Sequence, residues 1–138
     1  MAGIELHPGQ KAFFRQWNPE SNKIALANNG GQLWILSLKT ETGGATVIKT
    51  TNGGRTELLG GLNYSSWTPL PEKQPMFIVE DSVASFTIGQ ISFDSKRGYN
   101  VVIRETRKGE TKELTVKDGQ AGPNNSFNLI TAGPAGVK

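Results

Sequence analysis

Apolar residues recur at every second position in segment after segment of this chain, and these segments are rich in Val, Ile, Thr, Phe and Trp. Because side chains alternate between the two faces of a β-strand, a period of two indicates half-buried strands rather than helices. The strands predicted in this way number about ten and cover residues 11–17, 23–27, 32–39, 45–50, 56–59, 76–80, 84–93, 98–106, 110–117 and 126–131. No stretch has well-supported helical spacing, so the sequence predicts an all-β fold.

Glycine-containing turn signals separate these segments, and each supplies a residue that tolerates positive φ. They are Asn29-Gly30-Gly31, Gly43-Gly44, Asn52-Gly53-Gly54, Gly60-Gly61, Lys108-Gly109 and Asp118-Gly119. We interpret them as hairpin connections, most clearly within residues 99–117. Short strands joined by hairpins predict an antiparallel β-sandwich, with a closed β-barrel as the alternative. The two Asn-Gly-Gly segments have different flanking residues, so no internal repeat is inferred.

The length of 138 residues predicts a single β domain spanning residues 1–138. Within it, the proline-containing segment 61–74 is interpreted as a long surface loop or an extended edge crossing, and the glycine- and proline-rich tail at 132–138 is expected to be frayed. No run of ten apolar residues occurs, so neither a membrane-spanning helix nor a signal-peptide core is predicted. We expect a soluble protein that is cytoplasmic or released without a recognisable signal peptide.

Few residues of the types that carry catalysis or hold metals are present. The chain has no cysteine and one histidine, His7, which argues against a serine–histidine triad, a thiol nucleophile and zinc or iron sites. Its three aspartates form no calcium-loop pattern, and the adjacent Glu80 and Asp81 fit a polar turn better than a glycosidase pair. The sequence therefore predicts a non-enzyme with no catalytic residue, no metal and no cofactor.

The net charge of +3 is small, and the basic residues of segment 94–117 are interspersed with acidic ones. A nucleic-acid platform normally has denser basic clusters with exposed aromatic residues between them. The charge pattern therefore argues against a nucleic-acid partner.

The aromatic residues are the best candidates for recognition. Trp34 lies within a strongly apolar strand and is predicted to pack in the core, whereas Trp17 ends a strand and fits either rim or core. The segment 62–71 differs, because it places Tyr64 and Trp67 among small polar residues and prolines. Aromatic rings beside amides and hydroxyls are typical of sugar sites. The predicted ligand-binding residues are Asn63, Tyr64, Trp67 and Thr68.

Three classes of function remain open. The first is a non-catalytic, lectin-like module that binds glycans and gains avidity as a homo-oligomer. The second is a membrane-binding or pore-forming β protein with aromatic residues at the lipid surface. The third is a structural or assembly protein whose sheet edges or loops dock to other chains.

Overall fold

The computed structural model describes residues 3–20, 23–41, 45–65, 70–92, 97–119 and 126–137. Thirteen strands and one short helix lie within these ranges. In chain order they are β1 (Ile4–Leu6), β2 (Lys11–Phe14), β3 (Leu26–Asn29), β4 (Gln32–Ile35), β5 (Leu38–Thr40), β6 (Ile48–Thr51), β7 (Arg55–Leu58), β8 (Gly61–Ser65), β9 (Pro75–Glu80), β10 (Val83–Ser92), β11 (Val101–Arg107), β12 (Glu110–Thr115), α1 (Val116–Gly119) and β13 (Ser126–Ala132).

From β1 to β11, strands that follow one another along the chain do not pair, and each pairs in parallel with the strand one turn later. On the first face β1, β3, β6, β9 and β11 stack in this order, and on the second β2, β4, β7 and the first half of β10 do so. The third face consists of β5, β8 and the second half of β10. The chain therefore winds into a β-solenoid of about four turns.

The prediction of an antiparallel sandwich or a closed barrel is wrong. Alternation fixes which side chains point inward, but it does not fix the strand with which each strand pairs. The turn signals at Asn29-Gly30-Gly31, Asn52-Gly53-Gly54 and Gly60-Gly61 are corners between faces and not hairpins. The first two corners stack on each other, with Gln32 in register with Arg55, so they are equivalent positions of successive turns.

The alternating residues of each face fill the inside of the coil in columns that follow the pairing register. On the second face Leu33 lies between Ala12 and Thr56, and Ile35 lies between Phe14 and Leu58. On the first face the inward column consists of Ile4, Leu26, Ile48, Phe77 and Ile103. The rings of Phe77 and Phe86, from two different faces, stack at 4.0 Å across the interior. These columns form one continuous hydrophobic core.

Antiparallel strands close the C-terminal end of the coil. β12 folds back on β11, and β13 lies antiparallel to β10. The hairpin predicted at Arg107-Lys108-Gly109 is confirmed, with Arg107 opposite Glu110. The predicted strand at 110–117 ends early, because the last residues form the helical turn α1. After β13 the chain makes a further turn in which the Gly136 N–H donates to the Gly133 carbonyl, 2.8 Å away.

Segment 61–74 is not a loop throughout, since its first five residues form β8. Gly61 occupies the inward column beside Leu38, where a Cβ would lie 3.2 Å from the leucine Cβ. The small residue at this corner is therefore needed for close approach of the two turns. Within the described ranges, no helix is long and apolar enough to cross a membrane.

Candidate functional site

The outer face of β2, β4 and β7 carries a column of outward-pointing side chains that continues from one turn to the next. Phe13, Trp34 and Glu57 are in register, and each lies between two inward-facing residues of its own strand. The ring of Phe13 is 71% exposed. We call these three residues together with Ser85, their counterpart on β10, the aromatic column.

The rings of Phe13 and Trp34 stack face to face, with centroids 4.6 Å apart and planes within 4°. Paired strands lie about 4.8 Å apart, so the parallel register itself places the two rings at stacking distance. Because β2 is the outermost strand of its sheet, the second face of the Phe13 ring is not covered by another described strand. The column therefore ends in an exposed aromatic surface.

Polar side chains run beside the rings on the same face. Lys11, Gln32 and Arg55 are in register with one another, and all three are exposed. Together with Glu57 they provide ammonium, amide, guanidinium and carboxylate groups next to the aromatic rings. This set can both donate and accept hydrogen bonds along the whole column.

The column leads into a cleft of about 250 Å³ between the outer face of β7 and β10 and the chain that follows β13. Its lining includes Arg55, Glu57, Val83 and Pro134. From Phe13 to Ser85 the column crosses three strand spacings, about 14 Å. A bound molecule that follows this line would be elongated and would lie across the strands.

The residues predicted from the sequence occupy a different part of the molecule. Asn63 is fully buried on the inner side of β8, where its Nδ2 donates to Ser65 Oγ at 2.7 Å and to Gln90 Oε1 at 3.3 Å. Tyr64 points to the opposite, outer side of β8 and is half-buried. Trp67 and Thr68 lie outside the described residues. The structure thus places Asn63 in the interior, and the binding role of the other three residues stays a prediction.

The prediction that Trp34 packs in the core is wrong, because its neighbours Leu33 and Ile35 occupy the inner positions of β4. Trp17, for which the sequence left rim and core open, is partly buried against the core and stacks on Phe14 at 5.6 Å. Phe13 was not singled out by the sequence. The sequence could have indicated Phe13 only if the number of residues in each solenoid turn had been known. That number places Lys11-Ala12-Phe13-Phe14 in register with Gln32-Leu33-Trp34-Ile35.

The carboxylates of Glu80, Asp81 and Glu105 form ion pairs or hydrogen bonds with other residues of the protein. Glu80 pairs with Lys49 at 2.9 Å, and the buried Glu105 accepts from Arg107 Nη2 at 3.0 Å. Asp81 adopts a φ of 44° and accepts a hydrogen bond from the Lys108 N–H, so Glu80 and Asp81 form the polar turn that the sequence indicated. In the part of the chain that the structure describes, no three metal-ligating side chains of the His, Cys, Asp or Glu type converge.

Fold and surface together define a parallel β-solenoid with an aromatic outer column that leads into a cleft lined by both polar and apolar residues. No protein-family model, curated protein sequence or solved structure matches this chain.

Proposed function

We propose that this protein is a non-catalytic recognition module that binds carbohydrate chains along the aromatic column. The observation that carries this proposal is the stacked Phe13 and Trp34 pair, whose outer ring is 71% exposed on a rigid sheet. Contiguous exposed apolar patches mark interaction sites on protein surfaces, and aromatic side chains are enriched at such sites. A sugar ring offers an apolar C–H face that matches such a surface.

The polar residues beside the rings support the same class of ligand. A sugar presents hydroxyl groups around its edge, and each hydroxyl both donates and accepts hydrogen bonds. Gln32, Arg55 and Glu57 supply the complementary groups in fixed positions, because their backbones belong to paired strands. An elongated, open column favours a segment of a polysaccharide over a single enclosed monosaccharide.

The test is binding of the purified protein to a glycan panel and to soluble polysaccharides, with Phe13→Ala as the principal variant. We expect Phe13→Ala to weaken binding about tenfold, because loss of an aromatic contact of about 1.4 kcal/mol has that effect on Kd. Folding stability should change little, since Phe13 is largely exposed. Leu36→Ala is the matched control, because Leu36 is 54% exposed and lies off the column.

A third variant, Trp67→Ala, separates the aromatic column from the loop predicted by sequence. Loss of glycan binding in Trp67→Ala with full binding in Phe13→Ala would assign the site to the loop and not to the column. No glycan binding by the unaltered protein, accompanied by binding to anionic liposomes, would favour the membrane-surface alternative. The same variants then show which aromatic residues contact lipid.

A further inference from the structure

The first turn of the solenoid leaves its inward apolar residues more exposed than the second turn does. At the N-terminal end, Leu6 is buried, but the other inward apolar residues described in the first turn are only partly buried: Ile4, Ala12, Phe14 and Trp17. One turn further along, the residues in the same columns are at most 2% exposed: Leu26, Leu33, Ile35 and Leu38. The first turn therefore presents an apolar end surface to solvent.

On two faces of this end, backbone groups point away from the neighbouring turn and pair with no other described strand. The N–H of Ile4 donates to the Ala25 carbonyl at 3.1 Å, and the carbonyls of Gln10 and Phe14 accept from the next turn. The backbone N–H and C=O groups of successive residues in a strand point to opposite sides. Those of Glu5 and Lys11, which adjoin these bonded residues, therefore face away from the solenoid. β1 and β2 thus offer two open strand edges beside an apolar surface.

At the C-terminal end the described edge strands, β12 and β13, both run antiparallel to the strands of the coil. There the edge of the first face is β12, an antiparallel strand whose first four residues, 110–113, are exposed and largely charged. Charged, reversed edge strands prevent strand addition. Among the described strands, a second copy therefore has no parallel edge at its C-terminal end to stack on the open first turn, and chains of copies joined head to tail are disfavoured.

We propose that the N-terminal end of the solenoid is a homodimer interface, in which the first turns of two copies pack face to face about a two-fold axis. The two-fold makes the facing strands antiparallel, which is the arrangement this chain already uses to close its other end. If β1 of one copy pairs with β2 of the other, Glu5 of one copy lies near Lys11 of the other. The opposite charges at the two edges favour this pairing over that of β1 with β1.

The experiment measures mass in solution by sedimentation velocity, from micromolar to hundreds of micromolar protein. We expect the unaltered chain to sediment at twice the mass of one chain. Ala12→Lys should give monomers. The ammonium group of the introduced lysine can reach water at the open end of a single copy, whereas in the dimer it would be buried. Lys11→Pro should also give monomers, because it removes an N–H at the open edge.

Lys11→Gln is the control for the second variant, since it changes the side chain and keeps the N–H. It should remain dimeric, and all variants should retain the far-UV circular dichroism of the unaltered protein. A monomeric unaltered chain at every concentration would overturn the proposal, and so would folded, dimeric Ala12→Lys and Lys11→Pro. Assemblies that grow without limit would also overturn it, because they require a head-to-tail contact. Glycan binding is measured separately, so either proposal can fail alone.

Discussion

The interior of this solenoid contains a polar residue that holds two turns together, Asn28. Its Oδ1 accepts from the Gly31 N–H at 2.9 Å, and its Nδ2 donates to the Arg55 carbonyl and to Thr56 Oγ1 at 2.9 and 3.0 Å. Asn28 is fully buried, and Thr56 bonds in turn to Thr50 at 2.8 Å. The side chain therefore satisfies backbone groups of its own corner and of the next one.

We predict that Asn28→Leu destabilises the protein by about 2 to 4 kcal/mol, because the buried Gly31 N–H and Arg55 carbonyl both lose their partner. Chemical denaturation followed by tryptophan fluorescence measures the change. Asn29→Leu is the control, since Asn29 is half-buried and its Oδ1 accepts only a long hydrogen bond from Thr51 Oγ1, at 3.4 Å, in the part of the chain that the structure describes. Equal losses of unfolding free energy in the two variants would show that the hydrogen bonds of Asn28 contribute no more to stability than the contact of Asn29 does.

The residue types at the corners predicted their backbone conformation but not where the corners lie in the fold. Gly30 has a φ of 86°, and Asp81 occupies the corresponding corner of the last turn with a φ of 44°. The sequence therefore predicted positive φ at Gly30 correctly. It gave no means of telling a corner that leads to a new face from a turn that leads back along the same sheet, because both need the same residue.

At the scale of elements, most strands were predicted within a few residues, and their pairing was not. Segments 11–17, 76–80 and 84–93 correspond to β2, β9 and β10. The segment 32–39 reads as one alternating strand, yet it bends at Leu36 into β4 and β5 on different faces. β1 was missed because it is only three residues long. Pairing in parallel depends on contacts one turn apart in sequence, which local alternation does not encode.

The helical turn α1 is held by a capping interaction at its start. The carboxylate of Asp118 accepts hydrogen bonds from both the backbone N–H and the hydroxyl of Thr115, at 2.9 and 2.6 Å. The hydroxyl bond, followed by the backbone bond, lowers the pKa of Asp118 below its ordinary value. A carboxyl whose pKa is lowered on folding stabilises the folded state above its unfolded pKa, and the effect is lost as pH falls through the folded pKa.

We therefore predict that the Thr115 amide resonance titrates in acid with a midpoint below that of an ordinary aspartate, as measured by ¹H–¹⁵N NMR. In Asp118→Asn this titration should disappear, while the rest of the spectrum keeps its dispersion. A Thr115 midpoint at or above the ordinary aspartate value would contradict the capping geometry. The effect on global stability should be small, because Asp118 is on the surface.

At the scale of the whole molecule, a solenoid is a one-dimensional stack in which each turn contacts only its neighbours. This arrangement explains why the candidate site could be only partly predicted. The class of ligand was inferred from the number of aromatic and amide side chains, which composition shows. The aromatic column arises from residues of successive turns, Phe13 and Trp34, which become neighbours only when the parallel register is known.

The stack also predicts that the closing strands at the C-terminal end stabilise the nearest turn most. Ile130 on β13 is 4% exposed, lies opposite Phe86 and belongs to the core. We predict that Ile130→Ala lowers the free energy of unfolding by about 2 to 4 kcal/mol through the cavity it leaves. Ile91→Ala, at a position 40% exposed on the outer side of β10, should cost far less.

Hydrogen exchange tests whether that loss is local. In Ile130→Ala, amides of β9 and β10 should lose more protection than those of β3 and β4, because the turns far from the cavity keep their neighbours on both sides. An equal loss of protection in all turns would mean that the solenoid unfolds as a single cooperative unit and that the closing strands control its stability throughout. A graded loss instead means that opening begins at the weakened end, with the turns that carry Phe13 and Trp34 still folded.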